Sequence, residues 1–323
     1  MPLQRAIRKL SLHIVVIAGP TACGKTRLGV GLAHELESEI ISADSRQVYR
    51  GLDLGTGKDL EEYTQFETPV PFHLIDIVDP EETYSLFQYQ QDCYRLLREK
   101  DREKRFCGGE VPLIMVGGSG LYVETVVRDF RIADVGENRG LRNRLANIPL
   151  DQLVAMLERE DPELAEQTDT SSGRRVVRAL EIAEHARSAP IGYGERPGMD
   201  LRFSVFCVDV DRSLLRRRIG DRLRSRIASG MVAEVRGLLD RGLSHERLEA
   251  LGLEYREIAA HLRGSKSFDD MVNDLEHAIG RFAKRQQTWF RGMERRGVPI
   301  RWIEPHDTGK VLDFIRTHHE SAS

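Results

Sequence analysis

The feature that most constrains this chain is an apolar segment, Leu12–Ala18, that runs directly into the octapeptide GPTACGKT. An amphipathic stretch, Arg27–Leu36, follows it. A strand, a glycine-rich turn and a helix, in that order, form the context in which G-x-x-x-x-G-K-[ST] binds phosphate. The backbone N–H groups of such a loop face one concavity, and the helix N-terminus adds its positive end. We therefore predict an anion site made of Gly19, Pro20, Thr21, Ala22, Cys23, Gly24, Lys25 and Thr26.

Two side chains of this phosphate loop indicate chemistry. Lys25 supplies a full positive charge, and Thr26 offers a hydroxyl to Mg²⁺. The alternative is a glycine-rich turn that only connects a strand to a helix.

Phosphate loops most often belong to kinases and other nucleotide-binding enzymes, which need an acidic Mg²⁺ partner at a strand end. Asp76 and Asp209 both end apolar segments, so a small-molecule kinase remains open, whereas the lack of an N-K-x-D motif disfavours a GTPase.

Composition narrows the class of protein. The chain has 323 residues, 40% hydrophobic and 31% charged, which is typical of a soluble globular protein of about two domains. Because the net charge is −3, a nucleic acid would have to bind a local basic patch. No apolar segment approaches the roughly 18 residues of a membrane span. The four cysteines are scattered without a C-x-x-C pair, which predicts a reduced cytoplasmic protein without zinc or disulfides. We expect a monomer that binds no membrane.

The order of the apolar segments predicts an α/β fold. Strand-like segments recur up to Val116 and return at Arg202–Val210, whereas Arg131 to Asp200 contains only helical patterns and a glycine- and proline-rich stretch. We predict a parallel sheet flanked by helices, like that of P-loop NTPases, formed by residues 1–130 and 201–323. Residues 131–200 are predicted to form an all-helical insertion domain. The predicted strands are Leu12–Ala18, Glu39–Ala43, His73–Val78, Pro112–Val116 and Arg202–Val210.

Asp44 directly follows the second predicted strand. Ligands of open α/β sheets bind at the carboxyl ends of the strands, so this carboxylate should lie near the phosphate loop. A carboxylate beside a bound phosphate is repelled unless Mg²⁺ or a catalytic task offsets the repulsion, and general base catalysis is one such task. The alternative is an aspartate that only stabilises a turn or caps a helix.

The last long helix, predicted from Phe268 to about Arg296, carries a basic stripe. Trp289 and Phe290 interrupt this stripe, which contains one acid, Glu294. Basic residues interleaved with aromatic ones suit the phosphates and bases of a nucleic acid. The alternative is an amphipathic helix whose aromatic side chains belong to the core. The basic residues are Arg281, Lys284, Arg285, Arg291, Arg295 and Arg296.

Six segments in a fixed order resemble one family. They are GPTACGKT, ISADSRQVYRGLDLGTGK, HLIDIVDP, GGSGLY, RRVVRALEI and FAKRQQTWFR. Over residues 14–302 the chain is similar to bacterial tRNA dimethylallyltransferases, which prenylate adenosine-37. The resemblance implies Mg²⁺-dependent transfer of a dimethylallyl group from dimethylallyl diphosphate to N6 of that adenosine, in tRNAs that read codons beginning with U. It also implies that diphosphate leaves and that the insertion domain grips the tRNA anticodon stem-loop.

The resemblance also implies roles for individual residues. The phosphate loop holds the diphosphate with Mg²⁺ on Thr26, and Arg222 contacts the diphosphate. Asp44 is the general base, which makes Asp44, Lys25, Thr26 and Arg222 the catalytic set. By their spacing alone, the arginines around Arg222 could equally form a solvated helix face, and Ser119 could be only a helix cap. The implied tRNA-binding residues are Asp44, Ser45, Arg46, Gln47, Ser119, Arg174, Arg175, Arg178, Tyr255, Arg256, Lys284, Arg285, Gln286, Trp289 and Arg291.

Three segments depart from the family pattern. Ser171–Arg174 stands where Asn-Asp-Pro-Gln is usual, Glu254–Arg256 where Gly-Tyr-[KR] is usual, and Gly57–Asp59 where Ala-Lys-Pro is usual. The first two lie in regions that contact tRNA in the family. The alternative functions are an isopentenyltransferase of free adenine nucleotides and a small-molecule kinase. An RNA-binding protein without catalysis is disfavoured because Lys25, Thr26 and Asp44 are intact.

Overall fold

The predicted parallel sheet is present. The computed structural model of the chain describes residues 12–107 and 111–320, with the side chains of 12–103 and 111–317. Six parallel strands form one sheet in the order β3-β2-β4-β1-β5-β6. Their bounds are β1 Leu12–Ala18, β2 Ile40–Ser42, β3 Phe72–His73, β4 Leu113–Gly117, β5 Leu201–Val208 and β6 Ile300–Ile303.

The central strand explains why the first apolar segment has no polar face. All seven residues of β1 are buried. Val15 and Ile17 pack in one hydrophobic cluster, whereas Ile14 and Val16 pack in another. Alternate side chains of a strand point to opposite faces, so helices must cover both sides of the sheet.

Helices fill the rest of the fold within the described residues. They are α1 Lys25–Glu35, α2 Leu86–Cys107, α3 Gly120–Val127, α4 Arg139–Leu145, α5 Leu150–Glu160, α6 Pro162–Gln167, α7 Gly173–Ser188, α8 Arg212–Ala228, α9 Met231–Asp240, α10 His245–Leu251, α11 Leu253–Leu262, α12 Phe268–Arg295 and α13 Thr308–Glu320. No helix of the described residues is long and apolar enough to cross a membrane.

The register of the sheet brings the functional segments to one edge. Ala18, at the end of β1, pairs with Gly117 at the end of β4 and with Cys207 near the end of β5. Ser42, the last residue of β2, pairs with Val116. Because all these strands are parallel, the loops that follow them leave the sheet at the same edge, where α/β proteins bind ligands.

Two parts of the sheet differ from the sequence-based prediction. The predicted strand His73–Val78 is wrong beyond His73, because Leu74 and Asp76 adopt left-handed backbone angles (φ 62° and 55°) that end the strand. Only Val78 pairs again, in an isolated bridge with Tyr49. The apolar segment around Trp302, which carried no strand prediction, forms the edge strand β6 beside β5.

The chain divides into two compact units. One comprises the described residues up to Asp129 and from Pro197 onward, and contains the sheet. The other, Phe130–Arg196, contains α4 to α7, against the predicted insertion at 131–200. Its apolar core includes Leu153, Leu157 and Val176. An isolated antiparallel bridge between Ala133 and Tyr193 joins its two ends, so this unit is not purely helical.

Candidate active site

The phosphate loop is packed so tightly that glycine is required at its first position. Gly19 has φ 154°, and a Cβ added there would lie 2.8 Å from Cys23 Sγ and 3.2 Å from the Val208 carbonyl oxygen. Gly24 is left-handed (φ 94°), and α1 begins at the next residue. Lys25 Nζ donates to the Pro20 carbonyl at 3.3 Å, so the ammonium group folds back over the loop. The N–H groups in the first turn of α1 have no acceptor within the helix, as at any helix N-terminus, and no side chain caps them, which suits an anion site.

A glutamine of α12 ties this loop to the turn after β4. The Thr21 N–H donates to Gln286 Oε1 at 2.8 Å, and Gln286 Nε2 donates to the Gly118 carbonyl at 2.8 Å. Gln286 is only 6% exposed. Its burial and the engagement of both ends of its amide with backbone argue against the predicted tRNA contact. We interpret Gln286 as a residue that positions the phosphate loop.

Asp44 lies at the start of a tight turn after β2. Its Oδ1 accepts from the Arg46 N–H at 3.0 Å, which is the turn that the simpler alternative predicted. Its other carboxylate oxygen accepts no hydrogen bond from the residues that the structure describes. One oxygen therefore holds the turn, and the second remains able to accept a hydrogen bond from a ligand.

The turn after β4 braces the Asp44 turn. The Ser45 N–H donates to Ser119 Oγ at 2.9 Å, and the Ser119 N–H donates to the Ala43 carbonyl at 3.2 Å. A Cβ on Gly117 would lie 2.1 Å from the Ala43 oxygen, so the strand ends could not approach without glycine. Ser119 occupies the N-cap position of α3, but its side chain bonds no helix N–H. Its hydroxyl therefore braces the Asp44 turn instead of capping the helix.

Arginines four residues apart on α8 point inward. Arg218 Nη1 donates to the Cys23 carbonyl at 3.3 Å, and Arg222 Nη1 donates to Thr21 Oγ1 at 3.4 Å. Arg226 donates to two backbone carbonyls of the segment at Leu54 and Gly55. Residues at this spacing share one face of a helix, so the solvated-face alternative is wrong for these three.

The glycine-rich loop, residues 51–58, connects the Asp44 turn with the phosphate loop. The Gly57 carbonyl accepts from Arg222 Nη2 at 3.1 Å and from Gln47 Nε2 at 3.2 Å. Gln47 in turn accepts from Ser42 Oγ at 3.2 Å. A Cβ on Gly57, which is left-handed (φ 63°), would lie 2.5 Å from Arg222 Nη2. The Gly57 carbonyl thus positions two side chains, Gln47 near Asp44 and Arg222 near the phosphate loop.

Glu234 of α9 holds this glycine-rich loop in place. Its carboxylate accepts three backbone N–H groups, those of Asp53 at 3.0 Å, Leu54 at 2.7 Å and Gly55 at 2.9 Å. It also accepts the Tyr255 hydroxyl at 2.8 Å. The sequence predicted no role for Glu234, because an exposed-looking acid on an amphipathic helix has no distinguishing spacing. The only hint was a loop rich in glycine, whose N–H groups need acceptors.

Tyr255 and Asp76 support the same loop. Tyr255 is 1% exposed, and its ring lies where a Cβ on Gly55 would come within 2.2 Å. Burial therefore argues against its predicted tRNA contact. Asp76 pairs with the buried Lys58, which also donates to Asp53 Oδ1 at 2.6 Å. Asp76 is thus engaged in a structural ion pair, which weakens its reading as the Mg²⁺ partner of a kinase.

Burial and charge shift the pKa values of acids and bases around Arg222. Burial lowers the pKa of the Arg222 guanidinium, but the opposite charge and hydrogen bond of Asp59 outweigh it and leave the pKa above its usual value. Burial, reinforced by the charge of Asp59, raises the pKa of the Glu62 carboxyl to about 7. Glu62 Oε2 is buried and has no hydrogen-bond partner among the described residues. Burial also raises the pKa of Glu254, against the charge of Arg226.

The basic stripe of α12 lies on an exposed face. Lys284, Arg285 and Arg291 are exposed, and none forms an ion pair within the described part of the chain. Arg285 lies 5.8 Å above the Phe282 ring, and Arg291 lies 5.8 Å above the Trp302 ring. Lys284 and Arg291 are seven residues apart, about two helical turns, so they share one side of the helix, and Arg285 lies next to Lys284.

Arg296 and the two aromatic residues of this segment have structural partners. Phe290 is fully buried, so the core alternative holds for it. Trp289 packs against Gly120, where a Cβ would lie 2.3 Å from the indole. Arg296 pairs with the buried Glu124 at 2.7 Å and is not free for another ligand.

The remaining predicted tRNA contacts are divided between free and paired side chains. Arg46 is exposed at the turn after β2, and Arg256 is exposed but pairs with Glu257 at 2.9 Å. In the helical unit, Arg174 is exposed and Arg175 pairs with Asp169. Arg178 donates to the Val135 carbonyl at 2.6 Å and pairs with the buried Glu181 at 3.1 Å. These bonds make Arg178 part of the unit's own framework.

The residues at the loop are compatible with Mg²⁺. No group of three or more His, Cys, Asp or Glu side chains able to hold a metal occurs in the described residues. Mg²⁺ bound to a diphosphate needs only one or two protein oxygens, since substrate oxygens and water complete its shell. The Thr26 hydroxyl forms no hydrogen bond with any described residue, so it is free for this role. Asp209, at the end of β5, accepts from Gln287 Nε2 at 2.8 Å.

Comparison with known families is consistent with this geometry. A family model described as IPP transferase matches residues 47–293, and one described as Isopentenyl transferase matches residues 12–76. The chain is 46% identical to tRNA dimethylallyltransferase 2 of Porphyromonas gingivalis over 90% of this chain and 93% of that protein. It is 47% identical to tRNA dimethylallyltransferase 1 of Syntrophus aciditrophicus, over 94% and 97%.

Solved structures are similar over almost the whole chain. The tRNA isopentenylpyrophosphate transferase of Bacillus halodurans is 30% identical, with a TM-score of 0.66 over 96% of this chain and 97% of that one. A eukaryotic dimethylallyltransferase, described as acting on tRNA, has a TM-score of 0.69 over 93% and 75%, at 22% identity. The latter likeness concerns the fold alone.

Proposed function

This chain belongs to the IPP transferase family and is a tRNA dimethylallyltransferase, and from that premise we propose its substrates and mechanism. It transfers a dimethylallyl group from dimethylallyl diphosphate to N6 of adenosine-37, in tRNAs that read codons beginning with U. The C–O bond to diphosphate breaks, the N6–C bond forms, and one N6 proton passes to Asp44.

The observation that carries this proposal is the position of Asp44. Ser119, in the turn after β4, braces the Asp44 turn. Gln286 ties that same β4 turn to the phosphate loop, so the Asp44 turn and the phosphate loop are held through a common element. An adenine N6 is a poor nucleophile because its lone pair is delocalised into the ring. A carboxylate that accepts the N6 proton raises its reactivity, and the unbonded oxygen of Asp44 is available for that task.

The phosphate loop serves the leaving group. As the bond to diphosphate breaks, negative charge builds on the departing oxygens and positive charge on the allylic carbon. N–H groups at the start of α1, together with Lys25 and Arg222, would stabilise that negative charge, and the bond of Arg222 to Thr21 of the phosphate loop supports this role. Mg²⁺ on Thr26 would neutralise part of the same charge. A loop that usually holds a nucleotide thus holds the departing diphosphate, and the nucleotide is the acceptor.

The tRNA contact is proposed for the exposed and unpaired basic groups. The target base must leave its stack, which a single-stranded anticodon loop makes easier than a duplex does. Lys284, Arg285 and Arg291 offer charge to the phosphates, and Arg46 lies beside Asp44 for the extruded base. Arg174 is the exposed basic candidate of the helical unit, whose grip on the anticodon stem-loop stays a proposal. Monomeric state and cytoplasmic location also stay predictions.

A three-acceptor assay tests the proposal. The protein is incubated with Mg²⁺ and labelled dimethylallyl diphosphate, and with unmodified tRNA, AMP or no acceptor. We expect label in tRNA alone, at position 37 after nuclease digestion and mass spectrometry. The matched control is the same transcript with guanosine at position 37, which should take up no label.

Other outcomes would replace the proposal. Label in AMP but not in tRNA would indicate a free-nucleotide isopentenyltransferase. Label in neither, with phosphate transfer from ATP to a metabolite, would indicate a kinase. Equal label in tRNAs reading codons that begin with U and with other bases would remove the codon restriction.

A further inference from the structure

Arg222, the arginine proposed to contact diphosphate, is already paired in the free protein. Its Nη2 donates both to Asp59 Oδ2 and to the Gly57 carbonyl, the latter at 3.1 Å. Its Nη1 faces the phosphate loop, where the bond to Thr21 Oγ1 is longer, at 3.4 Å. One edge of the guanidinium is therefore held by a carboxylate, and the other edge is aimed at the predicted anion.

Asp59 is placed for this contact by an unusual backbone conformation. It is left-handed, with φ 50° and ψ 48°, a region that non-glycine residues rarely occupy. It immediately precedes the short 3₁₀ turn Leu60–Glu62. The Asp59 and Arg222 side chains are 26% and 28% exposed, so the pair lies at the rim of the site and within reach of a solvated ligand.

A carboxylate in this place has two opposed effects on an anion. It orients the guanidinium, and it also neutralises the positive charge that a diphosphate would otherwise meet. Glu62 lies close enough for its charge, when ionised, to interact with both Asp59 and Arg222. Because Asp59 bonds Nη2 while Nη1 faces the phosphate loop, its carboxylate lowers the positive charge that a diphosphate beside Nη1 would meet, without occupying that edge of the guanidinium.

We propose that Asp59 is a positioning residue that holds Arg222 toward the phosphate loop and weakens the affinity of the site for diphosphate. Weaker affinity favours departure of the leaving diphosphate after transfer, because a product held by an uncompensated arginine dissociates slowly. The inference rests on the proposed role of Arg222 in binding diphosphate. It assigns Asp59 a function that the sequence pattern did not suggest.

The test is the affinity of the protein for inorganic diphosphate in the presence of Mg²⁺, measured by calorimetry at constant ionic strength. Asp59→Asn removes the charge and keeps a residue that tolerates the left-handed conformation. We expect the Kd for diphosphate to fall roughly three- to tenfold, as for loss of a partly exposed neighbouring charge. The KM for dimethylallyl diphosphate should fall in parallel. An unchanged or higher Kd overturns the proposal.

Two controls separate this effect from others, and a third variant replaces Asp59→Asn if that protein does not fold. Glu61→Gln removes one negative charge two residues away from Asp59, on an exposed side chain without a contact to Arg222. If it tightens diphosphate binding as much as Asp59→Asn does, the effect comes from the overall negative charge of this segment and not from the Asp59–Arg222 contact, and the proposal is wrong. In an Arg222→Ala background, Asp59→Asn should change nothing, and a persisting gain in affinity would also overturn it. Asp59→Gly, which accepts the same backbone angles, repeats the measurement if the asparagine variant does not fold.

Failure of the inference and failure of the proposed function give different results. If Arg222→Ala alone leaves the Kd for diphosphate unchanged, the proposed role of Arg222 fails, whatever Asp59 does. If Arg222→Ala weakens binding but Asp59→Asn does not tighten it, only the role of Asp59 fails.

Discussion

The diphosphate end of the site and the outer face of α12 handle charge in opposite ways. At the diphosphate end, Arg218, Arg222 and Arg226 each donate to backbone carbonyls, and Arg222 is also paired with a carboxylate. On the face of α12, Lys284 and Arg285 point outward without ion-pair partners in the described chain. One region is preorganised by hydrogen bonds and an ion pair, whereas the other presents unpaired charge.

This difference teaches what each region can contribute. Preorganised donors stabilise charge that develops at one point, so the loss of a single atom there changes the reaction rate steeply. Exposed charges bind a polyanion through counterion release, so each contributes a similar, salt-dependent increment to affinity. The comparison therefore predicts steep effects on turnover at the first region and graded effects on tRNA affinity at the second.

The largest expected effect is at Asp44. Asp44→Ala should lower kcat by roughly 10²–10⁴-fold, the usual contribution of a general base, with little change in tRNA affinity. Asp44→Asn is the sharper variant, because its side-chain oxygen can still accept from the Arg46 N–H and keep the turn. Single-turnover transfer to tRNA measures the effect. Near-normal turnover in the asparagine variant would leave Asp44 with a structural role only.

The second-largest expected effect is at Glu234, which supports the glycine-rich loop but is not proposed to touch either substrate. Glu234→Gln places an NH₂ group against the backbone donors of Asp53, Leu54 and Gly55, so at least one buried donor loses its acceptor. The displaced loop carries Gly57, on which Arg222 and Gln47 both depend. We expect kcat/KM for dimethylallyl diphosphate to fall roughly 10- to 100-fold, a loss of about 1.4–3 kcal/mol.

Tyr255→Phe is the matched control for Glu234. It removes one of the four hydrogen bonds to the same carboxylate and leaves the three backbone bonds. Its kcat/KM should stay within about threefold of the wild type, in line with one ordinary hydrogen bond. Equal losses in the two variants would mean that the loop does not depend on those backbone bonds.

The third effect tests the outer face of α12. Replacing both Lys284 and Arg285 with alanine should weaken tRNA binding and reduce the slope of log affinity against log salt by roughly 1.4–1.8. Turnover at saturating tRNA should not change. Arg263→Ala is the control, because Arg263 is an exposed arginine already paired with Glu249 at 3.3 Å. An unchanged salt slope in the double variant would show that these two residues do not contact tRNA phosphates and are only solvated.

The smallest effect concerns stability at Glu62. The pKa of this carboxyl is about 7 in the folded protein against an ordinary 4.5, so the folded state binds its proton more tightly. Its contribution to the free energy of unfolding therefore falls as pH rises from about 4.5 to 7. Glu62→Gln should raise the Tm by about 2 °C at pH 8 and change it little at pH 5. Equal shifts at both pH values would contradict the raised pKa, and Glu61→Gln serves as the charge-matched control.

Local sequence predicted the parts of the site that are contiguous in the chain. The phosphate loop was recognisable because strand, glycines, lysine and helix all lie within residues 12–36. Asp44 was recognisable because it follows a short apolar strand. The strand predicted at His73–Val78 was wrong because Leu74 and Asp76 are left-handed, and apolar composition does not report backbone angles.

The rest depended on contacts between distant residues. Glu234 and Gly55 are 179 positions apart, Arg222 and Gly57 are 165 apart, and Gln286 lies 265 positions from Thr21. No spacing rule reaches across such separations. The departure at Asp59 was visible in the sequence, but its partner Arg222 was not.

The sequence by itself determined the fold class, the anion loop and the candidate base, because each is encoded in a run of neighbouring residues. Only the tertiary structure decided which polar groups are free and which are engaged. It buried Tyr255 and Gln286 as positioning residues, turned Arg222 inward against Asp59, and left Lys284 and Arg285 exposed. The physical reason is that a side chain's hydrogen-bond partners and solvent exposure are set by packing between elements, which no local pattern specifies.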